Sequence, residues 1–174
     1  LAEKLIKKQA KVTLVLGPVG GFRIDRRIHL IKFRFFEELR ARLKKELSSK
    51  NYDIVIHSAA VSDFKPEQPV KGKLKSGKTY GLRLTPLPKI TGDIRRFAPP
   101  AKLVLFKLEA GISDNLLLER AKAALADYGA DLIVANRIMP QYRAYILGWK
   151  KIYSRVASKE KLAQALVECL ALLT

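Results

Sequence analysis

The sequence predicts an α/β fold in which helices cover both faces of a mainly parallel sheet. Residues 54–56 and 103–106 are short, continuous apolar runs, typical of strands buried on both faces. Such runs alternate with longer segments of helical periodicity, the pattern of right-handed β-α-β units. We therefore expect a Rossmann-like, three-layer arrangement built on a parallel sheet, with an antiparallel arm near residues 70–85.

The first part of the chain is expected to form a helix over residues 1–8 and then a buried strand over 12–16, closed by Gly17. Alternating apolar and basic residues indicate a short strand over 28–33, and an apolar stripe indicates a helix over 35–47. The glycine turn that begins at Gly17 lacks the G-x-G-x-x-G spacing of a dinucleotide site. By itself it is a weak phosphate-loop signal.

In the second part, Ser113 is placed to cap a helix over 115–128, which Gly129 then ends. Ser158 is placed to cap the last helix, whose apolar stripe includes Cys169; we interpret this cysteine as a packing residue. The remaining predicted elements are a helix over 87–97, a strand over 131–135, and a hairpin formed by 142–147 and 151–156.

Composition limits the classes of function. A chain of 174 residues with 48% apolar residues is expected to fold as one domain, residues 1–174. No apolar run is long enough to span a membrane, and no signal peptide is visible, so we expect a cytoplasmic protein. The net charge of +18 suits nucleic acid or phosphorylated small molecules. The basic residues are spread along the chain without a nucleic-acid-reading motif, so specific nucleic-acid binding is not expected.

A candidate site follows the strand at 54–56. The small residues Ala59 and Ala60 leave room for a ligand against the backbone, and Asp63 adds a carboxylate. Ligands of open α/β sheets bind beyond the carboxyl ends of the strands, which is where these residues fall. Cations at alternate positions follow; they are Lys71, Lys73 and Lys75. On an extended segment they would share one face, either to bind an anion or to protect a strand edge.

Two further signals in this region are weaker. Residues 72–79 match the phosphate-loop pattern G-x-x-x-x-G-K-[ST], but that motif requires a strand before the loop and a helix after it. The following residues alternate like a strand, and we interpret the match as accidental. His57 ends the preceding strand and could act as a base or a ligand, but we interpret it as structural. No second histidine or cysteine stands at metal-ligand spacing, so we expect no protein metal site.

The motif AAVSDF at 59–64, followed by K-L-K at 73–75, resembles the signature of phosphopantothenoylcysteine synthetase. The resemblance continues in order through FKLE at 106–109, DLIVAN at 131–136 and SKEKLAQAL at 158–166. This family is the ligase part of the bifunctional flavoprotein of coenzyme A biosynthesis. The resemblance implies a ligase that joins 4′-phosphopantothenate to L-cysteine through an acyl-nucleotide, with Mg²⁺ and CTP or ATP as co-substrate. It also implies a homodimer, with the antiparallel arm as the dimer contact.

The resemblance also assigns roles to individual residues. It implies that Lys73 stabilises the acyl-nucleotide and its transition states. Core packing is an equal alternative for Phe106, whereas a polar residue at a strand end favours function for Asn136. The substrate-binding residues implied are Ala59, Ala60 and Asp63. The nucleotide-binding residues implied are Gly17, Pro88, Phe106 and Asn136.

Two departures from the family stand out. Some bacterial members carry lysines in the helix before DLIVAN, where this chain has Ala124 and Tyr128, so the choice between CTP and ATP stays open. The Gly-Gly-Thr turn, the asparagine and the Ser-Ser-Gly loop that begin the family domain do not occur here. We therefore expect the domain to lack its first strand and glycine-rich loop, and to be weakly active or inactive without upstream residues or a partner chain.

Two other classes of function remain as alternatives. A nicotinamide-dependent oxidoreductase could use a similar sheet, although G-x-G-x-x-G and a Tyr-x-x-x-Lys pair are both missing. A basic nucleic-acid-binding module would account for the charge. Release of pyrophosphate would separate the ligase from the oxidoreductase. Steeply salt-dependent nucleic-acid binding without sequence preference would reflect charge alone.

Overall fold

The structure, a computed structural model, describes residues 1–21, 23–68 and 72–173, and these residues form five helices and nine strands. The helices are α1 (Ala2–Lys7), α2 (Phe36–Ser49), α3 (Ile90–Phe97), α4 (Asp114–Asp127) and α5 (Lys159–Leu170). The strands are β1 (Thr13–Leu16), β2 (His29–Lys32), β3 (Ile54–His57), β4 (Phe64–Pro66), β5 (Leu84–Pro86), β6 (Lys102–Glu109), β7 (Leu132–Arg137), β8 (Arg143–Leu147) and β9 (Ile152–Val156). Among the described helices, none has the length and hydrophobicity that crossing a bilayer requires.

The main sheet has five strands in the order β3-β6-β7-β8-β9. Strands β3, β6 and β7 are parallel, and the β8–β9 hairpin adds two antiparallel strands at one side. Strands β1 and β2 form a separate parallel pair, and β4 and β5 form a small antiparallel ribbon. The predicted α/β class with a mainly parallel sheet is confirmed, as is the hairpin predicted over 142–147 and 151–156.

Apolar side chains of the sheet divide between two helical layers. On the first face, Leu105 packs in a cluster with Leu39 of α2 and Leu117 of α4. On the second face, Val104 packs with Leu166 of α5. We call these the α4 face and the α5 face. Because successive strand residues point to opposite faces, the continuous apolar run of β6 serves both layers. Each fully buried side chain of this size stabilises the fold by about 1.5–3 kcal/mol.

The helix ends follow the capping residues. The Ser113 hydroxyl accepts a hydrogen bond from the Leu116 amide at 3.2 Å, and the Ser158 hydroxyl accepts one from the Lys161 amide at 3.2 Å. Gly129 has φ +57, the left-handed conformation that ends helices such as α4. Both predicted caps and the predicted stop are confirmed.

Helix α3 is anchored to the sheet through Asp131. The Arg95 guanidinium donates to the Asp131 carboxylate at 2.8 Å, and the Leu103 amide donates to the same carboxylate at 2.8 Å. Arg95 also donates to the Ala101 carbonyl at 2.7 Å. Burial alone would raise the pKa of the Asp131 carboxyl, but the Leu103 amide and Arg95 together hold that pKa below its usual value. This anchor fixes α3 beside β6.

Two boundaries differ from expectation. Helix α3 begins at Ile90, three residues later than expected. Prolines at positions 86 and 88 precede it, and a proline disfavours helical backbone in the residue before it. Strand β6 continues to Glu109, because its ladder with β7 runs as far as the pairing of Glu109 with Arg137. The extension places Lys107 and Glu109 on a strand.

The antiparallel arm is present, but only its two ends are paired as strands. Strands β4 and β5 pair with each other, and residues 72–83 between them contain neither strand nor helix. No strand pairing includes Lys73 or Lys75, so the expectation that they share one face of an extended segment stays a prediction. Lys71 lies outside the described residues. We call residues 64–86 the arm.

Candidate functional site

A cavity of about 400 Å³ opens on the α4 face, at the carboxyl halves of β3 and β6. Its walls come from the loop after β3, the segment that leads into α3, and one side of α4. Ligands of open α/β sheets occupy this position. The residues that line it include His57, Ala59, Asp63, Pro88, Lys89, Thr91, Lys107, Arg120, Ala124, Asp127 and Tyr128.

The structure brings together some of the predicted site residues. Ala59, Asp63 and Pro88 line the cavity. Ala60 is exposed and follows Ala59 in the same loop. Phe106 borders the cavity, yet its side chain packs against the cluster of the α5 face. The position predicted for a ligand therefore coincides with the loop after β3.

Asp63 is held in place by two contacts. The Lys89 ammonium donates to Oδ1 of Asp63 at 2.6 Å, and the Leu87 amide donates to the Asp63 carbonyl at 2.8 Å. Both side chains of the ion pair are about half exposed, and the carboxylate raises the pKa of the Lys89 ammonium. The pair joins the loop after β3 to the segment before α3, so both walls of the cavity are fixed relative to each other.

A second charged group lies where β6 meets α4. Lys107 Nζ is 3.0 Å from one oxygen of Glu109, and Arg120 Nη1 is 3.0 Å from the other. Burial alone would raise the pKa of the Glu109 carboxyl, but Lys107 and Arg120 together hold that pKa below its usual value. Glu109 is thus an ionised carboxylate between two cations, both of which line the cavity.

His57 lines the cavity from the end of β3. Burial lowers the pKa of its imidazole, so the ring is neutral at physiological pH. The described residues supply no hydrogen-bond partner to either ring nitrogen. A neutral imidazole can both donate and accept, and here those capacities are available to a ligand.

Asn136 lies on the other face of the sheet. Its neighbours on the adjacent strands are Leu108 and Ala144. Along β7 it shares a face with Leu132 and Val134, which belong to the α5-face cluster. Its Oδ1 atom is buried and has no hydrogen-bond partner in the described part of the chain. Asn136 does not line the cavity, so the residues predicted to bind nucleotide divide between the two faces.

Two other predicted residues lie apart from the cavity lining. Gly17 follows β1, and a Cβ atom there would come within 3.3 Å of the Phe33 ring, so close packing accounts for this glycine. Lys73 is exposed in the arm and does not line the cavity. No helix follows the phosphate-loop match at 72–79, which agrees with its interpretation as accidental.

Sequence reasoning missed several cavity residues, Lys89, Lys107 and Arg120 among them. The available signal was the spacing on α4, where Arg120, Ala124 and Tyr128 stand four residues apart on one stripe. Thr91 was also missed; its Oγ1 atom is buried without a partner among the described residues. Within those residues, no group of three or more His, Cys, Asp or Glu side chains could hold a metal ion.

The chain matches known proteins over nearly its whole length. The family model described as the DNA/pantothenate metabolism flavoprotein C-terminal domain matches residues 1–172. The coenzyme A biosynthesis bifunctional protein CoaBC of Thermococcus kodakarensis is 38% identical over 140 residues, covering 79% of this chain and 34% of the relative. Phosphopantothenate–cysteine ligase 2 of Oryza sativa is 39% identical over 85 residues, covering 47% of this chain and 26% of the relative. The chain spans about a third of the length of the curated CoaBC relatives it matches.

Solved structures share the fold. The DNA/pantothenate metabolism flavoprotein of Streptococcus pneumoniae has a TM-score of 0.85 at 23% identity, covering 99% of this chain and 85% of that protein. A mutant of Cab2 in complex with phosphopantothenate-cysteine has a TM-score of 0.62 at 23% identity, covering 82% of this chain and 53% of that protein. At these identities the likeness concerns the fold alone.

Proposed function

Because the chain belongs to the family of the DNA/pantothenate metabolism flavoprotein C-terminal domain, we propose that it acts as a phosphopantothenate–cysteine ligase in coenzyme A biosynthesis. The observation that carries the proposal is the cavity beyond β3 and β6. There the small residues of the AAVSDF motif meet Asp63, Lys89, Lys107 and Arg120. A ligand that carries several phosphate groups suits such a set of cations.

The proposed reaction has two steps. The carboxylate of 4′-phosphopantothenate attacks the α-phosphorus of a nucleoside triphosphate, which forms an acyl-nucleotide and releases pyrophosphate. The amine of L-cysteine then attacks the acyl carbon, forms the amide and displaces the nucleoside monophosphate. Negative charge develops on phosphoryl and acyl oxygens, and fixed donors aimed at those oxygens lower the barrier. The same protein surface must therefore hold two phosphorylated ligands close together.

Individual residues have distinct tasks in this scheme. Ala59 and Ala60 let substrate lie against the backbone of the loop after β3. Asp63, already paired with Lys89, accepts a hydrogen bond from a substrate donor. Lys73 stabilises the acyl-nucleotide, which requires the arm to bring it to the cavity. Pro88 lines the cavity and Phe106 borders it, and in this scheme both contact the nucleotide. Gly17 and Asn136 do not line the cavity, so their predicted contacts require a nucleotide that extends beyond it.

Mg²⁺ would be held by the oxygens of the triphosphate. The described residues bring together no cluster of metal-binding side chains, and the ion pair with Lys89 occupies one oxygen of Asp63. Mg²⁺ supplies charge neutralisation on the phosphates. The protein cations then bind the phosphate oxygens that the metal does not contact. CTP and ATP are both candidate co-substrates.

We also propose a homodimer in which the arm packs on a second copy. The arm exposes large apolar side chains, namely Phe64 (52%), Tyr80 (43%), Leu82 (57%) and Leu84 (55%). Several large exposed apolar side chains within one short segment are typical of interaction sites. A dimer through the arm would bury these side chains.

The experiment is a pyrophosphate-release assay with phosphopantothenate, L-cysteine and either CTP or ATP. We expect release to be stoichiometric with phosphopantothenoylcysteine, which mass spectrometry identifies. Reactions without phosphopantothenate are the control, because the first step needs its carboxylate. Turnover of a nicotinamide cofactor in place of pyrophosphate release would contradict the ligase assignment.

A further inference from the structure

A second cavity, of about 490 Å³, opens between α2 and α3 and shares no lining residue with the cavity beyond β3 and β6. We call it the α2–α3 cleft. Three of its lining side chains are cationic, and the lining consists of Glu37, Arg40, Ala41, Lys44, Arg96 and Phe97. None of these residues has a task in the proposed ligase reaction, so the cleft is a separate feature of the molecule.

A buried carboxylate holds two of the cations side by side. The Asp93 side chain is only 6% exposed. Arg40 of α2 donates to it from Nε to Oδ2 at 2.5 Å and from Nη2 to Oδ1 at 3.3 Å, and Arg96 of α3 donates to Oδ1. The hydrogen bond from Arg40 and the charges of both arginines hold the pKa of the Asp93 carboxyl below its usual value, although burial opposes this. The guanidinium groups of two helices are therefore fixed beside each other.

Most donors of these guanidinium groups remain available to a ligand. Each guanidinium has five N–H donors, and Asp93 takes two from Arg40 and one from Arg96. No further acceptor for either group lies within the described part of the chain. The Arg96 guanidinium lies over the Phe97 ring, with Cζ 4.8 Å from the ring centroid, which restricts its orientation. Both arginines thus offer preformed donors to the cleft that they line.

Lys44 adds a third cation, which the stability of the fold does not explain. It stands four residues after Arg40 on α2, and like charges at this spacing destabilise a helix. No carboxylate of the described residues lies within ion-pair distance of Lys44. The carboxylate of the lining, Glu37, lies 3.9 Å from Lys65 of β4. With Lys65 included, four cations stand against Glu37 and Asp93, an excess of two positive charges.

We propose that the α2–α3 cleft binds a phosphate monoester, with Arg40 and Arg96 donating to its oxygens and Lys44 contributing charge. Guanidinium groups match phosphate because their planar donors can contact two oxygens at once. A monoester is nearly a dianion at neutral pH, which equals the excess charge of the cleft, whereas each phosphate of a nucleic-acid backbone carries a single charge. This inference goes beyond the proposed ligase reaction and does not depend on it.

The Nε–Hε signals of Arg40 and Arg96 in the 15N-labelled protein report directly on this site. They are assigned with Arg40→Lys and Arg96→Lys, and inorganic phosphate is titrated at constant ionic strength. We expect both signals to shift and to saturate. Arg120, in the other cavity, gives a signal that reports binding there. No shift at Arg40 and Arg96, or a saturating shift at Arg120 alone, would overturn the cleft as a phosphate site.

Calorimetric titration of inorganic phosphate into variants tests the roles of the cations. We expect Arg96→Gln and Lys44→Gln each to weaken binding about tenfold, the loss for one charge-assisted contact. Lys45→Gln is the matched control for Lys44→Gln, because Lys45 is the adjacent exposed lysine of α2 and does not line the cleft. Equal losses in Lys44→Gln and Lys45→Gln would mean that phosphate responds to diffuse charge, which would overturn the assignment.

Two further probes distinguish the source of the phosphate group. Glycerol 3-phosphate represents a small monoester, and a single-stranded oligonucleotide without terminal phosphate represents a nucleic-acid backbone. We expect glycerol 3-phosphate to shift the Arg40 and Arg96 signals at a lower concentration of phosphate groups than the oligonucleotide does. The reverse order would assign the cleft to a polyanion and overturn the monoester.

The ligase proposal fails separately from this one. A protein whose Arg40 and Arg96 signals respond to phosphate but that releases no pyrophosphate in the ligase assay would refute the ligase and keep the cleft. A protein that releases pyrophosphate but shows no phosphate response at these arginines would keep the ligase and refute the cleft.

Discussion

The ammonium nitrogen of Lys89 lies 2.6 Å from Oδ1 of Asp63 at the wall of the cavity. One residue follows β3 and the other precedes α3, so the ion pair joins two elements that close around the same space. A lone carboxylate there would repel phosphorylated ligands. The pair with Lys89 removes that repulsion. No other residue in the described part of the chain donates to the second Asp63 oxygen, which can therefore accept a hydrogen bond from a ligand.

Asp63→Asn should raise the apparent KM for phosphopantothenate about tenfold, because a hydrogen bond to an ionised acceptor is replaced by a weaker neutral one. Steady-state kinetics of pyrophosphate release measure the effect. Lys89→Gln and the double variant complete a cycle, and we expect the two losses not to add, since the residues contact each other. Unchanged kinetics in Asp63→Asn would remove this carboxylate from the site.

Lys73→Gln should lower kcat roughly a hundredfold while the protein stays folded, since removing one transition-state donor commonly has an effect of that size. Lys78→Gln is the matched control from the same arm and should leave kcat unchanged, because the phosphate-loop match that contains it has no helix behind it. Circular dichroism checks the fold of both variants. An equal loss of kcat in the two variants would mean that the arm contributes only general positive charge.

Several elements were predictable because local signals and tertiary packing agree. Ser113 caps α4 as the sequence predicts. A serine hydroxyl before a helix accepts a hydrogen bond from a backbone amide that has no partner within the helix, so this signal is local. The buried strands were predictable because a continuous apolar run is stable only between two covering layers. Cys169 is buried in the α5-face cluster, as its place on an apolar stripe predicted.

The site was predictable only in part, because its geometry depends on which faces meet. A shift of one residue moves a strand side chain to the other face, so the sequence alone could not tell that Asn136 and the cavity lie on opposite sides of the sheet. Arg120 reaches the cavity because α4 packs on β7 and leaves the stripe of Arg120, Ala124 and Tyr128 facing the cavity. The roles of individual site residues, the homodimer, the cytoplasmic location and the missing first strand stay predictions.

Asp131→Asn should destabilise the fold by about 2 kcal/mol at neutral pH, because the carboxylate holds Arg95 and the Leu103 amide. The pKa of Asp131 is lower in the folded than in the unfolded protein, so its contribution is present above its ordinary pKa of about 4 and is lost as pH falls below that value. Urea unfolding at pH 7 and near pH 3 measures the difference. An equal loss of stability at both pH values would contradict the charged anchor.

Leu82→Glu should convert a dimer into a monomer, because it places a charge in the apolar surface of the arm. Sedimentation velocity of the parent protein and the variant measures this. Leu172→Glu is the matched control, since Leu172 is a similarly exposed leucine outside the arm (69% against 57% for Leu82). A parent protein that is monomeric at micromolar concentration, or a dimer that survives Leu82→Glu, would contradict the arm interface.

Asn136→Leu should have opposite effects on stability and on nucleotide binding. Its Oδ1 atom is buried without a partner among the described residues, and replacing such a group by an apolar one stabilises a fold by about 1 kcal/mol. For a chain of this length that change raises Tm by about 2–4 °C. If Oδ1 accepts a hydrogen bond from bound nucleotide, the same variant should weaken ATP or CTP binding about tenfold.

Thr91→Val serves as the stability reference for Asn136→Leu, because Thr91 also buries an oxygen without a partner in the described residues but lies on the cavity side. Thermal unfolding and calorimetric titration are run on the same preparations. A variant at Asn136 that gains stability and keeps full nucleotide affinity would assign the asparagine to packing alone. A variant that loses stability would contradict the view that Oδ1 is a buried acceptor without a partner.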